Sequence, residues 1–248
     1  MLLLTLGAGL LNAVAMLATS GIPAGTALPV TLNSSLDARK DKPGQKIQAK
    51  LMQDVPLSSG EKIKAGARVT GHIVEVKAAA GGWRIVVKFD ELQDRGTAIP
   101  LNVSARAIAA MESIYAAEVP VDATSDSESS NQWVMRQVGG EVINRGRGRI
   151  TSGDGLVGRW DGAAWGKLTA ATDAGDCTAS DGNGIEQALW VFSTSACGLY
   201  GLEDMKLVQS GRTDPLGQIV LESSKALHMG GGSGWFLLVN AAAPAAAQ

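Results

Sequence analysis

Leu28-Pro-Val-Thr-Leu32, Ile47-Gln-Ala-Lys-Leu51 and Val69-Thr-Gly-His-Ile-Val-Glu-Val76 alternate apolar and polar residues within one stretch, Ile22 to Val76. A period of two puts every second side chain on the same side of an extended chain, so each segment reads as a strand with one face in a core. The punctuation between them agrees. Lys42-Pro-Gly44, Ser58-Ser-Gly60 and Ala65-Gly66 supply the fixed or positive φ that tight turns need. The pattern continues through Ile85-Val-Val-Lys-Phe89 and Ile99-Pro-Leu-Asn-Val103, set off by Ala80-Gly-Gly82 and Arg95-Gly96. Short strands at this spacing predict a small β-barrel or sandwich over residues 21–106. Pro29, Pro56 and Pro100 lack an amide donor and belong at strand starts, edges or bulges.

Composition supports a turn-rich β protein. The 248 residues are 45% hydrophobic but only 4% aromatic, with 31 glycines, which suits many turns more than long helices. The net charge is −2, so no broad field draws in nucleic acid or an anionic membrane. Residues 24–118 nevertheless lean basic and residues 119–248 lean acidic.

Met1 to Ser20 is an apolar run of signal-peptide length followed by small residues that a signal peptidase accepts, although no Lys or Arg precedes it. It predicts export to the periplasm, the outer envelope or the extracellular space. The alternatives are an uncleaved anchor, the only membrane contact expected, and a buried first helix. Cys177 and Cys197 are the only cysteines. A bridge between them would close a loop of about 20 residues and stabilise by roughly 3 kcal/mol, in keeping with an oxidising compartment. Two thiols and two distant histidines do not have zinc-ligand spacing, and no cofactor or metal is expected.

The order Ile22-Pro-Ala-Gly-Thr26, Leu28-Pro-Val-Thr-Leu32, Pro43-Gly-Gln45, Ile47-Gln-Ala49, Asp54-Val55, Ile63-Lys-Ala-Gly66 and Val69-Thr-Gly71 resembles the β-barrel of the TrbI-type conjugal-transfer and type IV secretion outer-membrane-core proteins. It covers about a fifth of the chain. Lys64-Ala65 stands where that family usually has Pro-x, and the pattern includes no counterpart of its helical membrane-pore insertion. The resemblance implies a related barrel in an exported setting. The chain as a whole is similar to secreted bacterial proteins that follow this segment with a block such as Ala188-Leu-Trp-Val-Phe192, Gly211-Arg-Thr-Asp-Pro215 and Gly231-Gly-Ser-Gly234.

Beyond the barrel, Ser104 to Glu118 is Ala-rich, with Ile108, Met111, Ile114 and Tyr115 at helical spacing, and it predicts one short amphipathic helix. Val121 to Gln132 is acidic and serine-rich. The helix and this linker, residues 107–132, set a domain boundary, the alternative being a long loop within one domain. A second turn-rich β domain is expected over 133–240, with strands at Trp133–Val138, Val142–Asn144, Ala188–Ser193, Met205–Gln209, Gln218–Glu222 and Gly234–Asn240, and a disordered Ala/Pro tail over 241–248.

Of the 6 tryptophans, Trp160 and Trp165 sit in glycine-rich sequence, where an indole can be displayed to stack on a sugar or a partner surface. They are the candidate ligand-binding residues, with burial in a core the competing reading. His72 and His228 lack a nucleophile at a diagnostic spacing. Gly232-Ser-Gly234 is followed by Trp235, so it is no nucleophile elbow, and no phosphate-loop Lys follows the glycines. Asp154, Asp161, Asp173, Asp176 and Asp181 in glycine-rich loops leave a hydrolase or a nonstandard calcium site open, without the register of an EF-hand. Arg145-Gly-Arg-Gly-Arg149 would put three arginines on one face of a strand, most simply as a solvated edge.

The expectation is therefore an exported, mainly β, non-enzymatic protein that binds or scaffolds protein or envelope components, self-association included. The alternatives are polysaccharide binding through Trp160 and Trp165, and a secreted hydrolase using loop carboxylates.

Overall fold

The computed structural model describes residues 21–57, 59–79, 81–118, 133–145, 147–152, 155–160, 164–169, 184–188 and 191–241. Met1 to Ser20, the acidic stretch Val121 to Gln132 and nearly all of 241–248 lie outside these residues. In chain order the first strands are β1 (Ala27–Leu32), β2 (Leu36–Asp37), β3 (Lys46–Leu51), β4 (Val55–Pro56), β5 (Lys62–Ile63), β6 (Arg68–Ala79), β7 (Gly82–Asp94), β8 (Thr97–Pro100) and β9 (Val103–Ala109). Helix α1 (Met111–Glu118) follows. Then come β10 (Trp133–Gln137), β11 (Gly140–Asn144), β12 (Arg149–Ser152), β13 (Gly155–Trp160), β14 (Ala164–Gly166) and β15 (Gln187–Ala188). The chain ends through β16 (Gly198–Tyr200), β17 (Met205–Gln209), β18 (Gln218–Ser223), β19 (His228–Met229) and β20 (Gly234–Val239).

The protein is mainly β, as expected, with a nearly closed barrel-like sheet and a separate curled sheet. The barrel is a 10-stranded sheet in the order β16-β9-β20-β1-β3-β6-β7-β18-β17, with β8 paired to β7. The far end returns toward the start: the Ala105 amide of β9 donates at 2.7 Å to the carbonyl of Ser210, just past β17, so the sheet is nearly closed. Closure of this kind removes exposed sheet edges.

Here the expected division at 133 is corrected. The C-terminal β20 lies between β1 and β9, and β18 lies on β7, so the last strands of the chain complete the barrel. What is separate is an insertion between β9 and β16: α1 and a 6-stranded meander in the order β10-β11-β12-β13-β14-β15. The helix also begins later than its spacing suggests, because Val103–Ala109 is β9. Ile108 faces the barrel core with Val103 and Ala105, whereas Ala107 and Ala109 face the insertion with Ile114 and Ala117. Met111 and Tyr115, expected on the buried stripe, are exposed. Arg147 sits in a turn at φ 53° and Arg149 begins β12, so the three arginines expected along one strand do not share one.

Burial follows from this arrangement. β3 alternates strictly because its outer face meets solvent, while β9 is buried throughout because its outer face carries the insertion. The barrel interior is filled by side chains, among them Leu28, Ile73, Ile85, Phe89, Ile219 and Trp235, with the Phe89 and Trp235 rings edge-to-face at 5.5 Å. Gly71 on β6 is required by closeness: a Cβ there would lie 2.1 Å from the Lys88 carbonyl oxygen of β7. At the entry to β20, the hydroxyl of fully buried Ser233 has no hydrogen-bond partner among the described residues. Removing a buried unpaired hydroxyl relieves its desolvation cost, so Ser233→Ala is expected to hold stability or raise it by about 1 kcal/mol in urea unfolding.

Candidate functional site

Trp160 and Trp165 stand on neighbouring strands, but the register keeps them apart. In the β13–β14 pair Trp160 is opposite Ala164 and Arg159 is opposite Trp165. Side chains alternate along a strand, so the two indoles lie on opposite faces of the sheet. Trp160 is half-buried, edge-to-face with Trp133 at 4.6 Å over the small core of the insertion. Trp165 is 9% exposed. Its ring has the Arg159 guanidinium carbon at 5.5 Å and Lys62 Nζ at 5.7 Å, and Lys62 belongs to the barrel's β4–β5 hairpin. The expected side-by-side platform is thus corrected: Trp165 joins the insertion to the barrel, and Trp160 closes a core. Gly158 allows the approach, since a Cβ there would meet the Trp165 carbonyl oxygen at 1.7 Å.

A second fastening lies on β9. Its pairing with β20 shifts register between Phe236 and Leu237, which face Ala107 and Ala105, so Arg106 is the extra residue of a bulge. The bulge sends the Arg106 side chain to the insertion side, where it is 1% exposed. Its Nε donates to Ala196 O at 2.9 Å, and one terminal nitrogen donates to Thr194 O at 3.1 Å and to Thr169 O. Beside it Phe192 of the insertion stacks on Phe236 of β20 at 5.0 Å. Arg106 carried no motif, and only its place among small residues on a strand sets it apart in the sequence.

Cys197 is buried, its amide donates to Tyr200 Oη at 3.0 Å, and no described cysteine is a free thiol. Cys177 lies outside the described residues, as do Asp154, Asp161, Asp173, Asp176 and Asp181, so neither the bridge nor the loop-carboxylate reading is tested by geometry. His72 sits mid-strand with Nδ1 2.6 Å from Asp90 Oδ2, and His228 Nδ1 is 3.9 Å from Asp37 Oδ2. Neither contact includes a nucleophilic hydroxyl or thiol.

The outer face of β3, β6 and β7 is the open side of the barrel. Lys46 is opposite His72, which is opposite Lys88, and Lys50 is opposite Arg68. Lys46, Lys50 and Arg68 are exposed and Lys88 half-buried, and none of the four has a carboxylate at ion-pair distance among the described residues. Toward the other end of β6 the same face is paired: Arg84 bridges Glu75 at 3.2 Å and Glu222 at 2.9 Å, and Lys77 meets Glu75 at 3.1 Å. The Lys46-Ile-Gln-Ala-Lys50 alternation carried this signal in the sequence, since its outward positions hold both lysines.

Among the described residues, the carboxylates with shifted titration are held below their usual range. The Arg39 amide, 3.0 Å away, and then Lys40 do this for Asp37. The Ala65 amide at 3.0 Å and then Lys64 do it for Asp54, and Lys77 followed by Arg84 for Glu75. A depressed native pKa contributes stability above the unfolded-state value, and that contribution is lost as pH falls through the native one. Thermal stability is therefore expected to drop on acidification below about pH 4, and Asp54→Asn to flatten that limb. An unchanged slope in the variant would refute the assignment.

No protein-family model, curated protein or solved structure matches the chain. Among the described residues no helix is long and apolar enough to cross a membrane.

Proposed function

We propose that this is an exported, non-enzymatic protein of the bacterial envelope or extracellular space that binds or scaffolds other macromolecules. The observation that carries the reading is the filled barrel. Trp235, Phe89 and their aliphatic neighbours occupy the interior, so the molecule offers surfaces and not a lumen. One outer face mounts the insertion through Phe192, Phe236 and Arg106, and the face of β3, β6 and β7 is left to solvent. The shifts of Asp37, Asp54 and Glu75 agree, since backbone amides and neighbouring cations lower them, whereas a general acid needs a raised value.

The setting is part of the proposal. In this reading Met1 to Ser20 acts as the export signal, and the resemblance of Ile22 to Gly71 to the TrbI-type barrel supports an envelope context. Cys197 pairs with Cys177, the chain's other cysteine, in an oxidising compartment.

Isolation of the protein from its native cells tests the reading. A new terminus near Ser20, no alkylatable thiol, and envelope cross-links to other macromolecules or to further copies are expected. Full-length protein in the cytosol with two reactive thiols, or a protein that cross-links to nothing, would overturn it.

A further inference from the structure

We propose that the open outer face of β3, β6 and β7 binds an acidic polysaccharide through Lys46, Lys50, Arg68 and Lys88. The inference deepens the binding-protein reading above by naming the partner's chemistry, and it rests on that reading for the setting in which such a partner is met.

Charge is the first argument. Pairing on this sheet is divided: Arg84, Lys77, Glu75 and Glu222 pair with one another at one end, while at the other end the four cations have no carboxylate at ion-pair distance among the described residues. Asp90 meets His72 at 2.6 Å, and Glu91, opposite Thr70, accepts from the neutral Gln93 amide at 3.0 Å, so two negative charges offset four positive ones and this end stays net cationic. A net cationic patch on a protein of net charge −2 is local, so it recognises an anion at that place and does not draw anions to the whole surface.

Spacing is the second. Lys50 and Arg68 are cross-strand neighbours, as are Lys46 and His72, and His72 and Lys88. Lys46 and Lys50 are four residues apart on one strand, about 13 Å at the usual rise. A small anion reaches one cluster but not both, whereas a chain with repeating negative charges spans them. Polar, uncharged side chains lie between the two clusters. Gln48 and Thr70, directly opposite each other, place amide and hydroxyl groups amid the cations, where sugar hydroxyls can exchange hydrogen bonds. None of these residues is Trp, Tyr or Phe, so nucleobases find no stacking platform, and none is a large apolar side chain that would enter a bilayer.

The test uses the purified full chain and polygalacturonate, a polymer of uronic acid, in calorimetric titrations at about 50 mM salt. Binding is expected to weaken as salt rises. Lys50→Gln with Arg68→Gln should lower affinity about tenfold and reduce the slope of log K against log salt by about 2. Lys46→Gln with Lys88→Gln serves as an independent pair, with thermal melts confirming that each variant is folded. Lys225, which pairs with Asp204 at 3.0 Å away from this face, provides a control, and Lys225→Gln should bind like the parent. Unchanged affinity in folded variants of both pairs would overturn the proposal. So would equal affinity for monomeric galacturonate, or for duplex DNA or phosphatidylglycerol vesicles. A cytosolic location would remove the preceding reading while leaving polygalacturonate binding intact, and an exported protein that does not bind polygalacturonate would remove this one alone.

Discussion

Arg106→Met is expected to destabilise the protein by about 2–4 kcal/mol and to loosen the insertion from the barrel. Methionine fills much of the arginine's volume but has no donor. The carbonyls of Thr169, Thr194 and Ala196, which converge on the guanidinium, would then stay buried without it. The bulge at Arg106 aims the side chain away from the barrel core, so the loss falls on the seam with the insertion. Limited proteolysis should therefore cut between residues 111 and 197 before the barrel strands. Hydrogen exchange at the Val138 and Ser193 amides, which bond to Val191 O at 2.7 Å and Val138 O at 3.0 Å, should accelerate more than at Ile73. Arg106→Lys, which keeps the charge with fewer donors, should fall between the two. A variant with the parent's urea midpoint and cleavage pattern would show that Phe192, Phe236 and the alanines hold the seam without it.

The same seam explains what was legible in the sequence. Alternation identified β3, β6 and β7 because their polar residues meet solvent on one side. β9 hid for the opposite reason. Its outer face is covered, so it needs small residues there, and Ala105-Arg-Ala-Ile-Ala-Ala110 reads as helix when the covering insertion is not known. β18 and β20 were recognised as strands but assigned to a separate domain, since pairing with β7 and β1 across so much chain leaves no local mark. For the candidate site, Trp160 and Trp165 lay close in sequence. Which face each takes depends on register, and the pairing of Arg159 with Trp165 put them back to back. The cationic face showed in the sequence only as a basic lean of the first half and as two lysines on the outward positions of β3, because a cross-strand row such as Lys46, His72 and Lys88 exists only after the strands are paired.

Trp235→Ala is expected to cost about 3–5 kcal/mol, acting on the barrel and not on the seam. Trp235 is wholly buried, opposite Ile108 of β9 and Val30 of β1, with Phe89 of β7 edge-on across the interior. Its removal leaves a void between strands that come from both ends of the chain. A closed sheet relaxes poorly into such a void, since each strand is held on both sides. Trp235→Phe separates volume from polarity. The indole N–H has no acceptor among the described residues, so phenylalanine discards that burden while keeping the aromatic contact, and about 1.5 kcal/mol or less is expected. Urea unfolding followed by circular dichroism gives both values without relying on the altered fluorophore. The Ala variant should speed exchange at Ile73 and Ala105, whose amides bond to Gln45 O at 2.9 Å and Ser210 O at 2.7 Å at opposite parts of the barrel. If only the amides near β20 respond, the barrel does not open as one cooperative unit, and the closure between Ala105 and Ser210 is a local contact.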